Sequence, residues 1–228
     1  MFEQETIPEW PLPPLPTRVL SRRPYFLASV ESTNDLALAC REDGAVFVAD
    51  IQTAGRGRHG NTWHSAPGKG LWLSVSLKGP LRGLMFAASL AVRDAVSPRA
   101  SLAIKWPNDL LCAGKKVCGI LVEQRDDWNA VGIGINVNHR PGDFPETLRE
   151  TAGSLESTTG LQWDRAALLG EVIMAFDATV ARLRRGEHEA LWRAWSSACG
   201  LLGQRVCRNG VAGTVVAINE EGVLLVET

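Results

Sequence analysis

The sequence predicts an α+β fold, with one hairpin-rich β-sheet flanked by helices and a small β unit at the C-terminal end. Three observations predict it. Apolar residues alternate at period two through Leu71, Leu73, Val75 and Leu77, and further short apolar runs are bounded by turn-formers. Leu168, Leu169, Val172, Ile173, Phe176 and Val180 recur on one face of a long helical pattern. After Gly203 only short β segments remain, joined by Asn209-Gly210 and by Asn219-Glu220-Glu221-Gly222. A chain of 228 residues with 45% hydrophobic and 21% charged residues can bury enough apolar surface to offset its ordering entropy. That length suits one medium domain with an appendage and excludes a multi-module assembly.

Each element has a local reason. Residues 1–24 carry Pro8, Pro11, Pro13, Pro14 and Pro16, which remove backbone donors and helical angles, so an extended lead-in is expected. It leaves no room for a helix-turn-helix. Residues 25–30 read as a strand running into a helix that begins near Leu36, with Ser32 or Thr33 as its cap. Residues 45–51 and 71–77 read as strands, and 84–96 as a helix stopped before Pro98. Short apolar runs at 102–106, 117–123 and 131–137 are separated by Asn108-Asp109, Ala113-Gly114 and Asp126-Asp127, which suggests hairpins. Asp164 can cap a helix reaching Arg184, and a second helix over 187–199 is ended by Gly200. Strands at 205–208, 211–218 and 223–226 form a unit of roughly 25 residues, too small to stand without packing on the rest. The expected organisation is therefore a lead-in (1–24), a main domain (25–202) and a small β domain (203–228), whose completeness the end at Thr228 leaves open.

Charge and cysteine content narrow the classes of function. Lys plus Arg number 24 against 25 for Asp plus Glu, so no broad electrostatic drive toward nucleic acid or anionic membrane exists. No apolar stretch approaches the roughly 20 residues of a membrane span, and the N-terminus lacks a secretory layout. A soluble, cytoplasmic protein is expected, with neither DNA nor membrane as partner. Cys40, Cys112, Cys118, Cys199 and Cys207 are odd in number and never form CxxC, which argues against a disulfide framework or a zinc cage.

Five segments carry chemistry. Gln52 to Trp63 follows a strand and contains Gly55, Gly57 and Gly60 with Arg56 and Arg58: glycines permit close backbone approach, and guanidinium forks suit phosphate or carboxylate. The bare GxGxxG spacing is present, but Pro67 and Gly68 deny the helix that a dinucleotide fingerprint requires. A solvated flexible linker is the alternative. Lys105-Trp106-Pro107-Asn108-Asp109 presents a lysine, an amide and a carboxylate at a turn, a set that can hold a triphosphate and its magnesium or form a plain β-turn. Lys115-Lys116 opens an apolar strand containing Gly119, and lysines there are either ligand contacts or solvated edge charges. Gly132, Gly134 and Asn136 punctuate a strand; either a ligand lies on that backbone or the strand bulges. Ser32-Thr33-Asn34 is either a polar site or a helix cap.

In their order STN, QTAGRGRHGNTW, KWPND, KVCGILVE and GIGINVN, these segments resemble the biotin protein ligases, which attach biotin to a carrier domain of biotin-dependent carboxylases. The resemblance runs from about Phe26 to the end of the chain. It implies a mixed sheet flanked by helices, as in class II synthetase-like and biotin/lipoate ligase-like folds, and a small SH3-like β domain. It also implies ATP, biotin and Mg2+ as ligands. The implied reaction joins biotin's carboxylate to the α-phosphate of ATP, giving biotinyl-5′-AMP, and then passes the acyl group to a carrier lysine.

The same resemblance implies roles for residues. Lys116 would bridge carboxylate and α-phosphate as the main electrostatic catalyst, with Arg58 as the second catalytic cation. Ser32, Thr33, Asn34 and Gln52 would surround biotin's ureido ring, while Gly55, Arg56, Gly57, Gly119, Gly132 and Gly134 would line its path. Trp63 would stack on or close over the adenine, and Asn136 would read its edge. Arg56, Lys105, Asn108 and Asp109 would manage the phosphates, with Asp109 nearest to magnesium. His59 stands where the family often has a permanent cation, which is a departure. Family members that act as repressors carry an N-terminal DNA-binding domain, so repression is not expected here. A lipoate or other acyl-adenylate ligase and a non-catalytic biotin-binding module are the competing readings, and monomer and homodimer both stay open.

Overall fold

A computed structural model describes Trp10, residues 12–208 and residues 210–228; Pro8, Pro11 and Asn209, invoked above, lie outside the described residues. Seven strands form one sheet: β1 (Tyr25–Val30), β2 (Val46–Gln52), β3 (Gly70–Lys78), β4 (Ala103–Lys105), β5 (Asp109–Cys112), β6 (Lys115–Arg125) and β7 (Trp128–Asn136). Their spatial order is β1-β2-β3-β7-β6-β5-β4. β1 runs parallel to β2, and every other neighbouring pair is antiparallel, so the sheet is mixed. A parallel pair needs a crossover, and α1 (Thr33–Cys40) supplies it, which sets the start of α1 against the sheet.

Strand alternation decides what each face of the sheet does. On β2, Val46 and Val48 join the large core, whereas Phe47 joins a small cluster with Ala37 and Leu38 of α1. Val131, Ile133 and Ile135 of β7 likewise belong to the large core. Ala130, Gly132, Gly134 and Asn136 alternate with them along that strand. One face is therefore filled by bulk, and the other is kept small. The large core is covered by α2 (Leu84–Val96), α4 (Arg165–Arg184) and α5 (His188–Cys199). The helical face expected for α4 is buried throughout: Leu168, Leu169, Val172, Ile173, Phe176 and Val180 are at most 1% exposed. Asp164 caps it by accepting the amides of Ala166 and Ala167.

Several boundaries differ from the expectation. Residues 109–112, read as turn and spacer, form β5, because Leu110 and Cys112 are buried and pair this segment with β4 and β6. β7 begins at Trp128, three residues before its apolar run, since buried Asn129 satisfies its amide on the carbonyls of Leu77 and Gly79. A short helix, α3 (Leu155–Thr159), capped by Ser154, was not expected. β3 is buried on both faces, so Trp72, Ser74 and Ser76 lie inside alongside the alternating leucines.

The lead-in is tied to the main body. Trp10, Leu15 and Leu20 are buried in the large core, and the Asp177 carboxylate of α4 accepts the backbone amides of Arg18, Val19 and Leu20 at 2.7–3.1 Å. At the other end β8 (Arg205–Arg208), β9 (Val211–Ile218) and β10 (Leu224–Glu227) form a three-stranded antiparallel sheet in the order β10-β9-β8. Val215 and Ile218 enter the large core, and the Trp106 indole N–H donates to the Gly222 carbonyl at 2.6 Å, which anchors this small sheet beside the β4–β5 turn.

Candidate active site

On the small-residue face lies a cavity of about 740 Å³, a size typical of small-ligand sites. Its floor is made where α1 starts. Ser32 occupies the N-cap position, yet its side chain makes no capping bond, so the polar triplet is not spent on the helix end. Thr33 donates its backbone N–H to Gln52 Oε1 at 2.9 Å, and its hydroxyl lies 3.0 Å from the same oxygen. That hydroxyl is also 2.7 Å from the Ser74 hydroxyl, which donates to Asn34 Oδ1 at 2.6 Å. The Asn34 amide then donates to Glu123 at 2.7 Å. A continuous polar chain thus runs from β2 across β3 to β6.

The glycines of β6 and β7 have a steric reason. A Cβ on Gly132 would sit 2.5 Å from Asn34 Oδ1, and one on Gly119 or Gly134 would sit 2.7 Å from the Trp63 ring. Both strands pair in unbroken register through these positions, so the bulge alternative does not hold. Trp63 therefore lies flat on the sheet inside the cavity. It stands edge-on to Trp72 at 6.1 Å, and its indole nitrogen is buried without a partner.

The β4-β5-β6 hairpins bring the charged residues together. Lys105 pairs across from Asp109, and Asp109 across from Gly119. Asn108 pins the turn to β6 by donating its amide to the Ile120 carbonyl at 2.8 Å. Lys116 Nζ is 2.7 Å from Asp109 and lies 5.2 Å above the Trp63 ring, which places it in the cavity. Lys115, its neighbour, instead donates to the Glu150 carbonyl outside the cavity lining. Arg58 reaches Asn108 Oδ1 at 3.5 Å, and among the described residues Arg58 and Lys105 pair with no carboxylate. Arg58, Lys105 and Lys116 line the space with Asp109 as the one carboxylate among its lining residues; Arg56 also lines it, but its charge is met by Asp35 and Glu123. Such an excess of positive charge in a concave site favours anions.

The glycine–arginine loop covers this cavity as a small self-bonded flap. Gly57 N–H donates to Asn61 O at 2.7 Å and Trp63 N–H to Gly55 O at 2.8 Å, while His59 takes a left-handed conformation (φ 58°). Arg56 is held on the body by carboxylates: its guanidinium is bidentate to Asp35 at 2.7 and 2.8 Å and also reaches Glu123 at 3.3 Å. The hydrogen bond from Arg56 holds the Asp35 carboxyl below the usual carboxylate range, and Asp35 raises Arg56 in turn.

Most of the expected positions converge on the cavity: Ser32, Thr33, Asn34, Gln52, Arg56, Gly57, Arg58, Trp63, Lys105, Asn108, Asp109, Lys116, Gly119, Gly132 and Gly134 all line it. Gly55 and Asn136 are outside the lining; Asn136 is buried and donates its amide to the Gly153 carbonyl at 3.0 Å. Sequence reasoning missed Ser74, Asp35 and the role of Glu123. The one available signal was Ser74, a hydroxyl amid large apolar strand residues. Among the described residues no cluster of three or more His, Cys, Asp or Glu could hold a metal. Asp109 alone fits an ion that keeps phosphate oxygens and waters as its remaining ligands, as magnesium does. No helix among the described residues is long and apolar enough to cross a membrane.

The mixed sheet thus carries, on its small-residue face, a cation-lined and flap-covered cavity suited to an anionic small ligand. The chain belongs to the biotin/lipoate A/B protein ligase family, which residues 26–139 match. It is 36% identical over 219 residues to the bifunctional ligase/repressor BirA of Bacillus subtilis (strain 168), covering 89% of this chain and 67% of that protein. It is 34% identical to the biotin--[acetyl-CoA-carboxylase] ligase of Paracoccus denitrificans, covering 88% of this chain and 92% of that protein. Among solved structures, the biotin protein ligase of Aquifex aeolicus in complex with biotin and ATP superposes with a TM-score of 0.78 at 32% identity, covering 89% of this chain and 90% of that one.

Proposed function

We propose that this enzyme activates biotin with ATP as biotinyl-5′-AMP and transfers the biotinyl group to a lysine of a biotin carboxyl carrier domain. The observation that carries the reading is the cavity itself: Arg58, Lys105 and Lys116 gather around one carboxylate, Asp109, while hydroxyls and amides of Thr33, Asn34, Gln52 and Ser74 form its floor. A ureido ring offers donors and an acceptor and suits that floor; an acyl adenylate needs those cations.

In the first step a biotin carboxylate oxygen bonds to the α-phosphorus, and the bond to pyrophosphate breaks. Lys116, drawn from Asp109 toward the incoming anions, would offset the charge gathering between carboxylate and α-phosphate. Arg58 and Lys105, which pair with no carboxylate among the described residues, would hold the phosphate oxygens. Magnesium, delivered with the nucleotide, supplies charge neutralisation of the phosphates, and Asp109 is the side chain that would hold it. Trp63, which lies on Gly119 and Gly134, would swing off the sheet with the flap to cover the adenylate and keep water from the anhydride. In the second step the carrier lysine's amine attacks the acyl carbon, AMP departs and the amine loses its proton. Asn136, committed to Gly153, would support the end of β7 and not read the base.

The test is direct. Purified chain with biotin, Mg-ATP and a carrier domain should biotinylate the carrier, and Lys116→Ala should slow adenylate formation by at least about 100-fold, the scale of removing one preorganised electrostatic contact. Pyrophosphate exchange driven by lipoate and not by biotin would overturn the reading in favour of a lipoate ligase.

A further inference from the structure

Backbone bonds from Gly57 to Asn61, from Asn61 to Arg58 and from Trp63 to Gly55 close the flap of residues 55–63 on itself. It can therefore move as a unit, and what fixes its position is side chains. Beside the Trp63 ring packed on Gly119 and Gly134, Arg56 is the strongest polar tie, with two bonds to Asp35 under 3 Å and a third contact to Glu123. Arg58 offers only a 3.5 Å contact to Asn108. Asp35 lies on α1 and Glu123 on β6, so one guanidinium joins the flap to both of these elements. Glu123 has a second task, because the same carboxylate oxygen accepts the Asn34 amide at 2.7 Å. Asn34 in turn accepts from Ser74. The floor that would meet the ring and the tie that holds the flap thus share one carboxylate.

We propose that Asp35 and Glu123 are positioning residues that latch the flap over the cavity through Arg56, and that Glu123 transmits occupancy of the floor to the flap. The inference rests on the function proposed above, because the latch matters where an adenylate must be retained. A ligand that fixes Asn34 also fixes Glu123, and a fixed Glu123 lowers the entropy lost when Arg56 closes. The pair is one-third to one-half exposed, so each contact is modest, and it is their bidentate, shared geometry that makes the latch effective.

Two readouts test it. Hydrogen exchange of the backbone amides of 55–63 in the ligand-free protein should quicken by about fivefold in Asp35→Asn and in Glu123→Gln, the scale of one partly exposed ion pair. Adenylate retained after rapid desalting should be lost correspondingly faster. Adding Asp35→Asn to Arg56→Gln should change neither readout further, whereas a merely structural role would give additive losses. Unchanged flap exchange in both single variants overturns the latch. If the wild type makes no adenylate from biotin and ATP, the functional reading fails, while flap exchange in the ligand-free protein still decides the latch.

Discussion

A single methyl group is enough to show how the site is built. Gly132 leaves the space that Asn34 fills, and a Cβ there would press within 2.5 Å of the Asn34 amide oxygen. The asparagine cannot yield without breaking its bonds to Ser74 and Glu123. Gly132→Ala should therefore weaken biotin binding by about tenfold, or about 1.4 kcal/mol, read by titration calorimetry. The thermal midpoint should fall as well, because the Asn34–Ser74 bond that must give way is buried. An alanine variant with unaltered affinity would show that Asn34 does not touch the ligand. Legibility at this scale was uneven. The polar triplet at 32–34 was readable as a site or a cap, and only its partners decided: the Thr33 side chain faces Gln52 and Ser74, and the Ser32 side chain caps nothing.

At the scale of elements, periodicity was the reliable signal and polarity the misleading one. The helical face of α4 was legible because six apolar positions recur at one angle, and all six are buried. Phe176 packs at 1% exposure, so Phe176→Ala should cost about 3–5 kcal/mol of unfolding free energy in a urea titration without altering the cavity chemistry. A loss under about 1 kcal/mol would mean that the helices collapse around the void. The start of β7 and the whole of β5 were illegible for the opposite reason. Asp109 reads as a turn residue and Asn129 falls outside the apolar run, yet sheet pairing and tertiary partners absorb their polarity.

At the scale of the whole molecule, His139 is at odds with its surroundings. His139 is fully buried between Trp72 and Phe144, and neither ring nitrogen has a partner. Burial pushes its pKa down to about 4, from an ordinary value of 6.5. Above pH 6.5 the ring is neutral in both folded and unfolded chains. As pH falls from 6.5 towards 4 the unfolded chain takes up the proton first, so stability declines through that window, by up to about 3 kcal/mol. His139→Phe should flatten this part of the profile in urea titrations run from pH 7 to pH 4; an equally steep profile in the variant would assign the acid sensitivity to other groups.

What the sequence by itself determined is the alternation of large and small residues, the helical faces, the turn chemistry and the order of the five chemical segments. These are local properties, set by strand and helix periods and by side chains a few positions apart. Only the tertiary structure decided which face of the sheet would be core and which would be cavity. It also committed Arg56 to Asp35 and Glu123, placed Trp63 on the glycines, and bonded Asn136 to the Gly153 carbonyl. Those outcomes depend on contacts between residues 21 to 67 positions apart for Arg56 alone, and no local pattern encodes which distant carboxylate a guanidinium will meet.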